Sequence, residues 1–535
     1  MPKTAQASYI NIGTDKRNQK RIWLEGLKME SCGFAKGESY TTIFDVQKRS
    51  LSLVLDENGP RKVSGRKKNG KVLPIIEIAN AQVTRHIEKV MGNVNRVRVT
   101  FTYNRIDISV HHEDRKQVDR ETQIKESIAQ GLLTEATVCA GGTVSCMALH
   151  QGFEMAGIKS TCEFLVEMEG KYIQSAMNNN PYITDDTTIF EATLEELEPE
   201  LIKDVLDARD LKGIDVLNFS LPCTGASQAG RAKNGNKLAE EHSSAGTAVV
   251  GLLQIIHATN PCVVISENVP QFAESATHAI LRSYFEKTGY VIQEAVLGKE
   301  MGAFEDRKRH IMIGISKGIA ETFDMQHIKP SGTPPVTLAE IMDDIPEDSP
   351  VWKTYDYLKE KEVRDKAEGK SFARQIVTPD AESIGTIGRG YFKARSTEPF
   401  IQHPTDPERS RLLTVDEHAR AKGIPEDLVA GQSQTTAHEI LGQSVLFPVF
   451  KSIGALIGAH LNEIDLSIPE NQQKIDDLTN IIRDSVDFRG GAPVPVSMIE
   501  SWLFFGALMD KAREVYNEVL EDQEQEMDDS PGMRM

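Results

Sequence analysis

What this 535-residue chain lacks narrows its character first. No stretch approaches the roughly 20 consecutive apolar residues that a membrane-spanning helix needs, and the opening residues, MPKTAQASYI, carry no apolar core of a signal peptide. Secretion and membrane insertion are therefore not expected. Cysteine is scarce: Cys32, Cys139, Cys146, Cys162, Cys223 and Cys262 are scattered, with no Cys-x-x-Cys pair. That pattern resembles neither a disulfide framework nor a zinc site. A reducing, cytoplasmic setting is expected, with any functional cysteine acting as a thiol and no metal site.

Positive charge is also short, since the net charge is -18, and a uniform deficit would argue against a nucleic-acid partner. The deficit is not uniform. Residues 1–130 hold 24 Lys and Arg against 15 Asp and Glu, whereas the remainder holds 37 against 64, so the amino-terminal end is suited to a phosphate backbone. The acidic excess peaks in the tail EVLEDQEQEMDD (518–529). At roughly 150 residues per domain the length allows two to four domains.

Residues 1–130 read as a basic, β-rich module of short strands and turns: RIWLEG, SYTTIFDV, SLSLVL, a basic loop RKVSGRKKNGK (61–71), then LPIIEIA, RVRVTFTY and RIDISV. Its halves share a layout, so Arg21–Leu55 is read as repeated by Leu73–Val110. The first half, with Gly33-Phe-Ala-Lys-Gly37 before a hairpin, resembles small swapped-hairpin folds that bind nucleic acid. From Ala136 the pattern changes to apolar runs alternating with helical segments, which implies a mostly parallel sheet covered by helices on both faces. Ligands in such folds bind beyond the carboxyl ends of the strands. The alternation stops between about Lys317 and Arg411, where a loop-rich insertion is expected, and helical periodicity returns over 411–461. Residues 462–535 read as two or three helices and the acidic tail.

The chemistry-bearing residues follow strands. An apolar strand in DVLNFSLPCTGASQAG (215–230) runs into Pro222-Cys223, a tight loop that presents a thiol. The same dipeptide at Pro261-Cys262 runs straight into a strand, where cysteine is ordinarily a packing residue. That strand ends in Ser266-Glu267-Asn268-Val269, placing a carboxyl group at the same sheet edge. Asp306-Arg307-Lys308-Arg309 precedes a further strand and aims guanidinium groups at the same face. Thiol, carboxyl and guanidinium together suit covalent attack on a heteroaromatic ring.

These residues, taken with Arg411-Leu-Leu-Thr-Val-Asp-Glu417-His-Ala-Arg420-Ala-Lys-Gly423-Ile-Pro425 and Gly442-Gln443-Ser444-Val445, resemble the motifs of the DNA (cytosine-5)-methyltransferases, in that family's order, over about 131–460. The resemblance implies an α/β fold: a Rossmann-like mixed sheet of S-adenosylmethionine-dependent methyltransferases, helices on both faces, and a small target-recognition domain. Its catalytic part would be 131–317 and 411–461, with 318–410 the recognition domain. By the same resemblance Cys223 attacks C6 of a flipped-out cytosine, Glu267 contacts N3, Arg309 binds O2 and Arg307 supports the site. Ser227 would close over the base, and Arg389 and Lys393, with Arg395, Tyr391 and Phe392, would meet phosphates or bases of double-stranded DNA.

The resemblance places S-adenosyl-L-methionine on Ala140, Gly141, Glu167, Met168, Glu191, Pro222, Gln443, Ser444 and Val445, with Glu163 a rival to Glu167 for the ribose. The run Thr137-Val138-Cys139-Ala140-Gly141-Gly142-Thr143-Val144 lacks the family's leading acid and a later glycine, and Gln443 stands for the usual Asn. Asn180-Pro181-Tyr182 lacks the second proline, and the position, of an amino-methyltransferase loop. Three functions stay open: methylation of DNA cytosine at C5, the same reaction on tRNA, and non-catalytic DNA binding by a degenerate homologue. For the first, a bacterial or phage enzyme associated with the nucleoid is implied, with a cognate restriction endonuclease as partner if it serves restriction and modification.

Overall fold

The structure is a computed structural model, and it describes residues 6–45, 48–79, 94–222, 246–370 and 372–464. Two compact units divide between Asp119 and Arg120. The helices and tail expected over 465–535 lie outside the described residues.

The described part of the first unit contains ten strands: β1 (Gln6–Asn11), β2 (Gly13–Thr14), β3 (Lys20–Glu25), β4 (Ser39–Asp45), β5 (Ser50–Leu55), β6 (Arg61–Lys62), β7 (Ser64–Lys68), β8 (Lys71–Ile78), β9 (Arg96–Thr102) and β10 (Arg105–Val110). A one-turn helix, α1 (Leu27–Ser31), follows β3. Alternation sets the faces: Val97, Val99 and Phe101 of β9 point inward with Ile106 and Ile108 of β10, while Arg98 stays out. The sheets run β1-β9-β10-β5-β4-β6 and β2-β3-β8-β7. Corresponding strands of the two sequence halves pair antiparallel, β3 with β8 (Leu24 opposite Ile76) and β5 with β10 (Leu53 opposite Ile106). The segment 61–71, read as a loop, is instead mostly strand. Asn69 and Gly70 both take positive φ, the geometry of a two-residue hairpin turn, and join β7 to β8.

The second unit is built on a seven-stranded sheet: β11 (Leu132–Val138), β12 (Lys159–Glu167), β13 (Thr188–Glu191), β14 (Val216–Phe219), β15 (Val263–Asn268), β16 (Tyr290–Leu297) and β17 (Arg309–Ser316), in the order β13-β12-β11-β14-β15-β17-β16. The first five are parallel, and β17 is antiparallel to both β15 and β16. Helices cover both faces. Val263 and Ile265 of β15 pack on the side of α3 (Val144–Met155) and α11 (Phe447–Ile464), while Val264 packs on the side of α5 (Pro199–Ala208), α6 (Ala248–Thr259) and α7 (Ala276–Lys287). Helix α2 (His112–Gln130) leads into the sheet, and α4 (Gly170–Asn179) links β12 towards β13.

The insertion 318–410 carries more regular structure than its loop-like composition suggests. It holds helix α8 (Asp356–Ala367), and β18 (Gln375–Val377) and β19 (Pro399–Gln402) form a three-stranded sheet with β20 (Ser410–Arg411). Leu338, Trp352, Ile384, Ile387, Tyr391 and Ile401 form its core with Phe304 and Leu413. Helices α9 (Val415–Ala421) and α10 (Gln434–Gln443) then return the chain to the sheet. No single described helix is long and apolar enough to cross a membrane.

Helices α3 and α11 approach so closely that backbone meets backbone. A Cβ at Gly454 would lie 2.4 Å from the Leu149 carbonyl oxygen, and one at Gly152 would lie 2.3 Å from that of Lys451. Neither neighbour is the end of a flexible chain, so the helices must separate if a methyl is added. Gly454→Ala should destabilise the second unit by about 1–3 kcal/mol. Urea unfolding followed by far-UV circular dichroism checks this, and an unchanged midpoint would show that the two helices slide apart freely.

Candidate active site

The reversal of strand direction at β17 assembles the centre of the site. Because β17 runs antiparallel to β15, its first residue starts where β15 ends, with Asn268 opposite His310. The Arg309 Nε therefore meets the Glu267 carboxylate at 2.8 Å. Both side chains are largely buried. Next to Glu267, the Asn268 side-chain amide donates to the Leu221 carbonyl at 3.0 Å, tying the end of β15 to the loop that reaches the exposed Pro222. Cys223 and Ser227 lie outside the described residues.

Arg307 does not aim at this face. It turns inward, 5% exposed, and donates to the Ile387 carbonyl at 3.2 Å and to Glu305 at 3.4 Å. Glu305 is fully buried, accepts from the Ile387 backbone N–H at 3.1 Å, and pairs with the equally buried Lys422 at 2.7 Å. Burial, and then the Arg307 charge, lower the Lys422 pKa, while Glu305 opposes them. One carboxylate thus joins the loop before β17, the end of α9 and the insertion.

The motif around Arg411 is a second buried ion pair. Arg411 is bidentate to Glu417, at 2.6 and 2.7 Å, and Thr414 caps α9 by accepting from the Glu417 N–H while Glu417 returns to the Thr414 N–H. The Tyr391 hydroxyl donates to the Pro399 carbonyl and accepts from the Leu413 N–H, both at 2.8 Å. Tyr391, expected to meet DNA, is a core residue with no surface to offer. Its ring packs against His418 and His438, whose Nδ1 atoms lie 3.0 Å apart. One of these nitrogens must donate and the other accept, so at most one ring of the pair can carry a charge. Burial drives both pKa values down, that of His438 to about 4.

At the other end of the site, the chain between β11 and α3 is bent through left-handed backbone at Cys139, Gly141 and Thr143. For Cys139 and the β-branched Thr143 this conformation is strained, and surrounding structure has to hold it. Asn180 does so in part, donating to the Thr143 hydroxyl at 2.9 Å. The Glu167 carboxylate, at the end of β12, accepts from the backbone N–H of Gly141 at 2.7 Å and from those of Met168 and Glu169 at 2.9 Å. Burial, then Glu167, pushes the Cys139 thiol up to about 12. Glu163, the rival acid, is occupied by Arg209 at 2.7 Å.

Ala140 is buried, Met168 is 62% exposed, and the exposed Glu191 lies against Gly170. Helix α10 wedges between this loop and the insertion. A Cβ at Gly142 would lie 2.3 Å from Ile440, and one at Gly442 would lie 2.3 Å from the Gly388 carbonyl oxygen. The Gln443 amide stands beside Gly141, Ser444 closes α10 on the Leu441 carbonyl, and Val445 is buried. Arg389 reaches from the insertion to Glu169 at 3.3 Å and over the Tyr172 ring, so it meets the segment after β12; Lys393 is exposed and lies over Phe392. Sequence reasoning missed Glu305, Lys422 and His438. Each sits among other polar residues, so nothing local in the sequence marks it as buried.

Compared with known proteins, residues 144–459 match the C-5 cytosine-specific DNA methylase family. The match spans the segments holding Glu167, Glu267, Arg309 and Gln443 and begins just after the Ala140–Thr143 loop. The chain is 24% identical over 325 residues to the type II methyltransferase M.NlaX of Neisseria lactamica, covering 59% of this chain and 94% of that protein. It is 26% identical over 255 residues to the type II methyltransferase M1.ScrFI of Lactococcus lactis subsp. cremoris, covering 46% and 63%. Among solved structures, the S. pombe Dnmt2 methyltransferase aligns at 15% identity with a TM-score of 0.46, covering 63% of this chain and all of that one.

Two outcomes follow from the buried groups. Glu305→Gln removes the charge that compensates two buried cations, and should cost about 3–5 kcal/mol in denaturant unfolding; a change below about 1 kcal/mol would mean that water reaches Lys422 or Arg307. The histidine pair sets a pH slope. Because the folded pKa of His438 lies near 4 against 6.5 unfolded, the unfolded chain binds the extra proton between those values. Stability is therefore complete above pH 6.5 and falls towards pH 4, by about 3 kcal/mol for His438 alone. Unfolding free energies across that window check it, and His438→Asn should flatten the slope.

Proposed function

The chain belongs to the C-5 cytosine-specific DNA methylase family, and from that premise we propose that it methylates cytosine in double-stranded DNA with S-adenosylmethionine as donor and Cys223 as nucleophile. It is a cytosine-5 methyltransferase by family; the DNA substrate, the donor and the roles of individual residues are the proposed part. One observation carries the reading most: the Glu267–Arg309 pair at the edge of the sheet, joined through Asn268 to the backbone one residue before Pro222.

A thiolate that adds to C6 of cytosine pushes electron density towards C5 and N3. Glu267 would hydrogen-bond at N3 and relay the proton there, and Arg309 would hold O2 while its charge keeps Glu267 in place. Arg307, turned into the protein, would act as a positioning residue by fixing the loop that carries Arg309. Flipping the base out of the duplex exposes the ring face that the thiol attacks. S-adenosylmethionine, when bound, supplies the methyl group for C5.

The residues present fit that donor. Three amides fix Glu167 while Oε2 accepts only one of them, which leaves it a free lone pair for a ribose hydroxyl. Gly141 leaves room beside the Gln443 amide, and the exposed Glu191 carboxylate beside Gly170 supplies a negative charge that suits a cationic sulfonium ligand. Ala140, Met168, Pro222, Ser444 and Val445 complete the proposed cradle. DNA is favoured over RNA because the curated relatives are named type II methyltransferases, and those names support a cognate restriction endonuclease as partner.

Cys223→Ser should lower methyl transfer from labelled S-adenosylmethionine to duplex DNA by about 10⁴-fold or more, with unfolding midpoint and DNA affinity retained. The wild-type protein should form a covalent adduct with 5-fluorocytosine DNA. An adduct with tRNA alone would move the substrate to RNA, and full activity in the serine variant would remove Cys223 from the chemistry.

A further inference from the structure

Directly behind the strained loop, four residues that share no sequence pattern converge in the core. Cys146 and His150 stand one turn apart on α3 and so share a face. Glu135 comes from β11 and Cys162 from β12. The Cys146 Sγ lies 3.7 Å from the Glu135 Oε2 and the His150 Nε2 lies 3.5 Å from the same oxygen, with all three ligand atoms within 4.8 Å of one another. Cys162, on the neighbouring strand, is not part of that triad: its thiol donates to the Phe164 carbonyl at 3.6 Å and would turn from it to become the fourth donor. Cys146, His150 and Glu135 have no exposed surface, and Cys162 is 3% exposed.

We propose that Glu135, Cys146, His150 and Cys162 form a structural zinc site that pins α3 to β11 and β12 beneath the Ala140–Thr143 loop. The edges of a tetrahedron around zinc with sulfur, nitrogen and oxygen donors are about 3.3–3.8 Å, given metal–ligand bonds of about 2.0–2.3 Å. The measured separations of 3.5 and 3.7 Å fall in that range. Mixed soft and borderline donors in this geometry select zinc over magnesium or calcium.

The buried donor atoms point to a ligand on their own account. The buried His150 Nε2 makes no formed hydrogen bond, the Glu135 Oε2 standing 3.5 Å from it, although an unsatisfied ring nitrogen in the core costs about 1–3 kcal/mol. Its other nitrogen, Nδ1, meets the Ser160 hydroxyl at 2.5 Å, which is how a metal-bound imidazole is ordinarily oriented. Tyr182 stacks on the ring at 4.5 Å, and the Thr137 hydroxyl donates to the free oxygen of Glu135. These contacts fix the orientation of two donors. On binding, both thiols give up their protons to solvent, and the Glu135 carboxylate with the two thiolates offsets the dication and leaves one net negative charge on the site.

A second group, His278, Glu294 and His310, is a useful contrast. There the two Nε2 atoms and the Arg282 guanidinium already occupy the Glu294 carboxylate at 2.9–3.4 Å, so the cluster is closed by hydrogen bonds and its arginine repels a cation. The absence of a Cys-x-x-Cys pair does not bear on the first group, because its ligands come from two strands and a helix.

Full-length protein purified without chelator or nickel should contain about one zinc per chain by plasma mass spectrometry. Cobalt(II) added to chelator-stripped protein should give a thiolate-to-cobalt charge-transfer band. The band should persist in Cys223→Ser and Cys262→Ser, which excludes those thiols as its source, and vanish in Cys146→Ser. Ser160→Ala keeps all four donors and should weaken cobalt binding by about 10–100-fold. Zinc-free protein that yields no cobalt band in the folded wild type overturns the proposal, whatever the variants do. So does a band lost only in Cys223→Ser. Neither readout depends on methyl transfer.

Discussion

The buried Glu305 carboxylate is the interaction on which the site geometry most depends. Among the described residues it is the one acid ion-paired with both Arg307 and Lys422, and it also accepts an N–H from Ile387. Two cations at under 6% exposure are untenable in an apolar core without it. Those cations belong to different parts of the chain, one just before β17 and one at the end of α9. The carboxylate therefore fixes where β17 begins. Since Arg309 is the first residue of β17, it also sets the distance from Arg309 to Glu267.

The same contact reaches the insertion. Ile387 is held by Glu305 and Arg307 together, and Gly388 is pressed against Gly442 at the end of α10. Helix α10 is in turn pressed against Gly142. The loop proposed to hold the methyl donor and the segment proposed to read DNA are therefore the two sides of one helix, with close backbone or β-branched contacts on each. Arg389 adds a direct link between them through Glu169 and Tyr172. A shift of the insertion cannot leave the loop at Gly142 unchanged, because neither glycine contact has slack to absorb it.

Much of this was legible in the sequence, and what was not has a physical reason. The strand-helix alternation gave the sheet and the faces of its helices, because apolar period follows burial. The Asn69-Gly70 pair was a hairpin signal overlooked among the six basic residues of 61–71, and Thr414-x-x-Glu417 was a capping box within a motif read for other reasons. The pairing of Glu267 with Arg309 could be expected from motif order, but the inward turn of Arg307 could not, since alternation along a short loop does not fix side-chain direction. Tyr391 was misplaced because an aromatic beside Arg389 and Lys393 looks like a DNA-facing surface; only the partners of its hydroxyl reveal it as core. Glu305, Lys422 and the Glu135–Cys146–His150–Cys162 group are juxtapositions of residues distant in sequence, and no spacing rule contains them.

These buried polar groups share a position. Each lies behind a loop that emerges from the carboxyl end of the sheet or from the turn into β17, and each connects that loop to a helix behind it. A loop has few apolar contacts with which to hold one conformation, and short side chains such as Glu and Cys reach only a few ångströms. Carboxylates, guanidinium groups and thiols anchored below the loop supply directional contacts that apolar packing cannot. The strained backbone at Cys139 and Thr143 is consistent with that division, because left-handed backbone at non-glycine residues persists only where the surrounding contacts over-determine it. The sheet supplies the stability of the second unit, and the polar groups beneath the loops supply its precision.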